Sequence, residues 1–269
     1  MSLASRRGTS LAELLVALAM LGVVAAVLLR MLAGNMRHYQ SQTQIIDRAQ
    51  NLRAAAALLT TELRQLNAAD GDLYGATPIS LSMRAMRRLG FVCAEPPAGG
   101  THLAIRASLQ FGSRNFDPAT DSLLIYAAGE WLAAPLTAVR AGTCADGAPA
   151  DLLETGRASD DHVEEGAPVR AFEPVSYRLY RAGDGEWQIG LEAGGDVIQP
   201  LVGPVTAAGL ELEYRDAASA PTTDLRAIAS IAIRLRMPTA QNVRGPNGTL
   251  IRAVDSLDVA VALRNNRLP

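Results

Sequence analysis

The sequence contains no lysine, and aromatic residues make up only 4% of its 269 residues. All of its basic residues are therefore arginines. They nearly balance the acidic residues, which leaves a formal net charge of −2 and a pI near 6.0. Proteins that bind nucleic acid normally have a basic surface or stripe. This composition therefore predicts no nucleic-acid partner.

The motifs of enzymes and of metal proteins are also missing. The sequence has no glycine-rich phosphate loop, no G-x-S-x-G elbow and no pair of carboxylates in a plausible catalytic context. His38, His102 and His162 are scattered, without partners at metal-ligand spacing. The acidic run at residues 160–165 lacks the spacing of a calcium loop, so we interpret it as a solvated loop. We expect no catalytic residue, metal or cofactor, and we predict that the chain is not an enzyme.

Proline is absent from residue 9 to residue 67, so one helix of about 85 Å is possible at 1.5 Å per residue. Residues 14–29 have no charged or strongly polar side chain, and apolar neighbours on both sides extend this run to membrane-spanning length. Arg6 and Arg7 before the run favour a cytoplasmic N-terminus, although Arg30 after it weakens this bias. We predict a basic leader at residues 1–8 and a transmembrane helix at residues 9–34.

A cleaved secretory signal peptide is the rival interpretation, because it also combines a basic start with an apolar run. The residues Val24, Ala25 and Ala26 resemble a poor cleavage site. Two features favour the membrane helix instead: the apolar pattern continues beyond the run with helical character, and Glu13 lies at its start. A carboxylate at mid-membrane depth costs about 2.5–3.5 kcal/mol, and less near the interface. A signal peptide has no use for that cost, so we infer a function for Glu13.

Beyond the apolar run the pattern becomes amphipathic over residues 35–67. Seven apolar residues follow the 4-3-4-3-4-3 spacing of a heptad stripe, namely Ile45, Ala49, Leu52, Ala56, Leu59, Leu63 and Leu66. We expect the part from Leu52 to Leu66 to pack on the protein's own β-sheet, and a seam shared with neighbouring subunits is the alternative. The part from Leu14 to Tyr39 has no partner in the sequence, so lipid or neighbouring helices must cover it.

The segment G-T-S-L-A-E-L-L-V, which begins at Gly8, resembles the processing site of type IV prepilins and type II secretion pseudopilins. In that family a short basic leader ends in glycine, prepilin peptidase cuts after it, and the new terminal amine is methylated. The resemblance implies cleavage between Gly8 and Thr9 and N-methylation of Thr9, although phenylalanine is typical at that position. Glu13 matches the family's glutamate at the fifth position after the cut. It would pair with a terminal amine, in the family that of an adjacent subunit, and so set the assembly register. Gly22 matches a further glycine of the family.

Arg30 stands where major pilins often have a proline, which favours a minor subunit. The order of the later segments and the ending at residues 257–265 resemble the PilW-type minor pilins and the J-type pseudopilin of type II secretion. This implies a pilin-like, non-enzymatic subunit of an initiating or tip complex. Its partners would be prepilin peptidase, other minor pilins or pseudopilins, and membrane lipid. The protein would lie in the bacterial inner membrane, N-terminus in the cytoplasm and C-terminal domain outside it, before joining a pilus or pseudopilus. The alternative is a membrane-anchored, exported ligand-binding module with no filament role.

From residue 68 onward the apolar period changes from that of a helix to that of strands. No long helical stretch separates the strands, so the sheet should be largely antiparallel. We predict an α+β fold in which the long helix packs on a β-domain at residues 68–269, with an exposed loop at residues 141–168. The predicted strands are residues 79–85, 103–111, 121–126, 136–140, 175–180, 186–191, 197–201, 210–215, 228–237 and 254–264.

Cys93 and Cys144 are too few to define a disulfide framework, and their state depends on the compartment. If the domain is exported, as the resemblance implies, the two residues lie in an oxidising space and a disulfide between them is expected. Two buried free thiols are the alternative.

Overall fold

The computed structural model describes residues 10–97, 99–156, 163–194, 197–239, 243–244 and 249–264. The described residues fall into two compact units. The first comprises those up to Ala49 together with those of Thr239–Arg252, and the second comprises those of Gln50–Pro238 together with those from Ala253 onward. A single helix, α1 (Leu11–Leu63), contributes to both units.

The uninterrupted course of α1 agrees with the lack of proline in this part of the sequence. Its segment Leu11–Met36 is long and apolar enough to cross a membrane once, and none of it is buried. The helix ends four residues before the predicted limit at residue 67. After Leu63 the chain tightens, because the N–H groups of Gln65 and Leu66 donate to carbonyls three residues back.

The rest of the structure is built almost entirely of strands. In chain order they are β1 (Leu73–Thr77), β2 (Ser80–Phe91), β3 (His102–Arg106), β4 (Phe111–Gly112), β5 (Ser122–Ala127), β6 (Glu130–Thr143), β7 (Pro149–Thr155), β8 (Pro168–Arg181), β9 (Trp187–Ala193), β10 (Ile198–Val205), β11 (Leu210–Arg215), β12 (Ser230–Pro238), β13 (Val243–Arg244), β14 (Leu250–Ile251) and β15 (Val254–Ala262). The short pair β13–β14 belongs to the first unit.

A ten-stranded sheet is organised around β8. One edge of β8 pairs with β2, whereas its other edge pairs first with β5 and then with β9. The sheet continues from β5 through β6 and β7 to β3, and from β9 to β10. Every strand pairing in the described part of the chain is antiparallel, which confirms the predicted pairing and the α+β class.

The last three long strands form a separate sheet in the order β11-β12-β15. Their predicted positions agree with the structure to within a few residues. The sequence pattern had suggested one sheet, because alternation of apolar residues shows which face of a strand is inward but not which strand it pairs with.

The main core lies between α1 and both large sheets. Its members come from the heptad stripe and from the inward faces of β2, β8, β9, β11, β12 and β15. The predicted stripe residues from Leu52 to Leu66 are at most 5% exposed, which confirms that the end of α1 and the turn after it pack on the protein's own strands. Ala49 is half-buried, and the side chain of Ile45 lies outside the described residues. A second core, around Ile105, Leu123 and Leu153, lies among β3, β5, β6, β7 and β8.

The predicted exposed loop at residues 141–168 is wrong over much of its length. It contains the end of β6 and all of β7, which pairs with both β6 and β3. Ala150, Leu153 and Thr155 are buried. Glycine and acidic residues flank this short strand, so its local composition resembles that of a loop and did not predict a strand.

The predicted strand at residues 103–111 is also wrong beyond Arg106. A 3₁₀ turn, Ala107–Leu109, interrupts it, and Leu109 and Phe111 are exposed. The side chain of Gln110 turns back to donate to the carbonyl of Ile105 and to Asp151. These side-chain bonds replace ladder bonds that a continuing strand would form.

Candidate functional site

The start of α1 is a capping box. Ser10 precedes the first helical residue, and its hydroxyl oxygen accepts a hydrogen bond from the backbone N–H of Glu13 at 3.2 Å. The Oε2 atom of Glu13 in turn accepts from the backbone N–H of Ser10 at 3.1 Å. This reciprocal pair satisfies two of the donors that a helix N-terminus leaves free. The negative charge also lies where the helix dipole favours an anion.

Sequence reasoning missed Ser10, although the S-x-x-E spacing from Ser10 to Glu13 is the usual signature of this motif. The structure thus gives Glu13 a partner within its own chain. Gly8 and Thr9, at the predicted cleavage and methylation site, lie outside the described residues. Pairing of Glu13 with a terminal amine therefore stays a prediction.

The apolar half of α1 is exposed on all sides. From Leu11 to Leu32, its large apolar side chains are between 48% and 79% exposed. A helix that is apolar all round is stable only where lipid or other protein covers it. This segment is therefore compatible with a single-pass membrane anchor.

The other end of α1 is tied to the sheet by partly buried charges. Arg87 of β2 donates to Glu62 Oε1 at 2.9 Å and to Glu173 Oε2 at 2.8 Å. Burial alone would lower the pKa of Arg87, but its bonds with the two carboxylates outweigh this and raise the pKa. The Tyr177 hydroxyl donates to the second oxygen of Glu62 at 2.8 Å. Burial and the neighbouring carboxylate raise the pKa of Tyr177, so this hydroxyl remains a donor at neutral pH.

The same network extends across the sheet to Asp121, whose side chain is fully buried. Arg114 donates to Asp121 at 2.6 Å and to Glu173 at 3.4 Å. The hydrogen bond from Arg114 to Asp121 raises the pKa of Arg114. Each carboxylate of this network has a cationic partner, so it serves rigidity and provides no free acid or base. Sequence spacing gave no signal for it, because Arg87 is 25 residues from Glu62 and 86 from Glu173.

The predicted disulfide is confirmed. Cys93 and Cys144 are bonded, with their Cα atoms 5.6 Å apart. Both residues are buried beside Ala150, in a small apolar cluster apart from the two cores. The bond therefore holds together a region with little hydrophobic packing of its own.

Within the described ranges, no three metal-ligating side chains come together. The side chain of His102 is exposed, and Glu164 and Glu165 are exposed as well. His162, residues 160–161 and the side chain of His38 lie outside the described part.

The described residues thus combine a capped helix with an apolar first half, a charge network that fixes the C-terminal end of this helix, and a disulfide. These features suit anchoring and rigidity. Comparisons of this chain with protein-family models, with curated proteins and with solved structures find no match.

Proposed function

We propose that this chain is a non-enzymatic filament subunit of the type IV pilin class, either a minor pilin or a type II secretion pseudopilin. The observation that carries the proposal is the difference in exposure between the two halves of α1. Its first half exposes apolar side chains on every side, and its second half supplies a buried stripe to the β-domain. A subunit held first by lipid and then by neighbouring helices needs both halves.

Glu13 is the assembly residue in this proposal. Burying a carboxylate and an amine in low dielectric is tolerable only when they meet. The capping bond uses Oε2 alone, and Oε1 accepts no hydrogen bond from any described residue. That second oxygen is available for the terminal amine of a neighbouring subunit, which prepilin peptidase would create on Thr9.

The disulfide supports the proposed location. Such bonds form and persist in oxidising compartments, such as the bacterial periplasm. Cys93 and Cys144 belong to the β-domain, so this domain would lie outside the cytoplasm and the N-terminus inside it. With Arg30 in place of a helix-loosening proline, the chain fits an initiating or tip subunit of the PilW type or the J type.

Processing provides the first test. Intact-mass analysis of the protein purified from membranes should give a chain that begins at Thr9. Gly8→Val should leave an uncut precursor, because only a small residue fits the cleavage pocket. A mature protein that begins at Met1 supports the anchored ligand-binding module instead. A start after Ala25 or Ala26 indicates a signal peptide and contradicts both functions.

Three variants separate the charge of Glu13 from its capping role. Glu13→Gln keeps an oxygen that can accept from the Ser10 N–H but removes the charge, whereas Glu13→Val removes both. Ser10→Ala keeps the charge and removes the hydroxyl half of the cap, at a cost of about 1 kcal/mol. We expect both Glu13 variants to be cleaved and inserted but to co-purify poorly with the other prepilin-peptidase substrates of the cell.

Ser10→Ala should co-purify with those proteins nearly as well as the unchanged chain, because its carboxylate remains charged. Mass spectrometry of the purified complexes provides the measurement. If Glu13→Gln assembles normally while Ser10→Ala does not, Glu13 is only a helix cap and the register role is wrong.

A further inference from the structure

A groove of about 630 Å³ lies beside the last turn of α1, within the second unit. Its floor is a row of side chains across three strands, in which Phe111 lies opposite Leu89 and Leu89 lies opposite Arg170. Phe91 and Pro168 form the next row, two residues further along β2. Side chains two residues apart on a strand share a face, so these five residues form one surface. The volume is within the usual range for ligand sites.

The lining of the groove is rich in positive charge. It includes one acidic residue and four arginines, namely Glu62, Arg87, Arg88, Arg170 and Arg264. The pair Glu62–Arg87 is internally neutralised. Arg88 is next to Leu89 on β2, so its side chain leaves the opposite face of the strand. Its guanidinium bonds there to the side chain of Gln110 and the backbone of Arg114, and it lies over the ring of Phe116 in the second core. Arg170 and Arg264 are therefore the two cations of the lining that remain for a ligand on this surface.

Arg170 is the cation best placed to receive an anion. It lies over the ring of Trp131 at 5.2 Å, and the one hydrogen bond it forms to a described residue is a long ion-pair contact of 3.5 Å to the fully buried Asp72. A guanidinium has five N–H donors, so most donors of Arg170 are available. Arg264 is exposed and forms no ion pair with any described residue.

The apolar side chains indicate which kind of anion fits. Phe111 is 58% exposed, and Phe91 and Trp131 are half-buried. A free phosphate would leave these rings uncovered. The lining follows β2 from Met86 to Phe91, roughly 15–20 Å at the rise of a strand, which matches an extended peptide of about five residues. Arginine and aromatic residues are also the side chains that contribute most to protein–protein binding.

We propose that this groove binds an extended acidic peptide segment of a partner protein. Carboxylates of the segment would contact Arg170 and Arg264, and an apolar side chain would cover Leu89 and Phe111. This goes beyond the proposed function and does not depend on it, because a filament subunit and an anchored module could both use such a site.

The test uses the full chain in detergent micelles and a fluorescein-labelled probe peptide, Asp-Glu-Phe-Glu-Asp, followed by fluorescence anisotropy. The probe should bind, more weakly at physiological than at low ionic strength. Its neutral counterpart, Asn-Gln-Phe-Gln-Asn, should bind at least about tenfold more weakly.

Arg264→Gln and Phe111→Ser change exposed residues and should each weaken binding about three- to tenfold. Arg226→Gln, an exposed arginine that does not line the groove, is the matched control and should leave affinity unchanged.

Several results would overturn the proposal. Equal affinity for the acidic and neutral peptides would remove the electrostatic basis, and an equal loss in Arg226→Gln would show non-specific attraction. Displacement of the probe by inorganic phosphate or by short-chain phosphatidylglycerol would identify a free anion or a lipid headgroup as the occupant. Self-association of the chain that Phe111→Ser disperses would identify a second copy. Thermal unfolding of each variant verifies that it is folded.

Discussion

The substitution Leu63→Ala tests whether the second half of α1 is part of the hydrophobic core. Leu63 is 0% exposed in the core shared by α1 and both large sheets. The substitution removes three buried carbons, worth about 0.8 kcal/mol each, or about 2.4 kcal/mol in transfer free energy. The cavity that remains adds to this, so we expect a loss of about 2.5–5 kcal/mol in the free energy of unfolding.

Leu28→Ala is the matched control, because it makes the same change in the same helix and the two residues therefore share their helix propensity. Leu28 is 55% exposed in the apolar half of α1, so its truncation leaves no internal cavity and should cost less than about 0.5 kcal/mol.

The assay is urea unfolding of the full chain in detergent, followed by tryptophan fluorescence, since Trp187 packs against the same core as Leu63. In thermal unfolding, Leu63→Ala should lower the midpoint by at least about 5 °C, at 2–4 °C per kcal/mol for a chain of this size. If the two variants melt alike, the stripe does not stabilise the β-domain, and it would instead face other subunits.

Three further perturbations follow from the structure. Cys144→Ser opens the loop closed with Cys93, 51 residues apart, and should cost about 4 kcal/mol in the chain-entropy model; a thermal midpoint equal to that of the unchanged chain would contradict this. Glu173→Gln leaves Arg87 with one carboxylate partner and should cost about 1.5–3 kcal/mol in urea unfolding, the usual contribution of hydrogen bonds to charged groups, whereas an unchanged value would mean that the network contributes nothing. Burial raises the pKa of Asp72 above 3.8, so its contribution to stability is fully present below pH 3.8 and is lost as pH rises through the folded-state pKa. The free energy of unfolding of the unchanged chain, relative to that of Asp72→Asn, should therefore rise as pH falls. A relative decrease would refute the raised pKa of Asp72.

Sequence periodicity predicted the elements whose packing is decided locally. The heptad stripe from Leu52 to Leu66 and the second half of β8, where Val175, Tyr177 and Leu179 are buried, each bury one face, so their spacing reveals that face directly. The strands β11, β12 and β15 were found for the same reason. The disulfide depended on an argument about compartment, and the structure supports its geometry.

The remainder depends on contacts between distant segments. The side chain of Gln110 ends β3 by bonding back to Ile105, which no local pattern reveals. The charges around Arg87 and the cross-strand row of Phe111, Leu89 and Arg170 exist only once the register of β2, β4 and β8 is known. The capping box at Ser10 was different, because its signature is local and was available in the sequence.

The make-up of the two cores has a consequence for the order of folding. The second core draws only on residues between Val92 and Ala171, so it can close once that stretch of chain is present. The main core joins Leu52 of α1 to Val261 and Leu263 near the far end of the sequence. Such distant pairings carry a large loop-closure cost and form slowly. During synthesis the main core around the stripe of α1 therefore stays incomplete until β15 arrives, and a chain truncated before β15 would present part of that core to proteases and to chaperones.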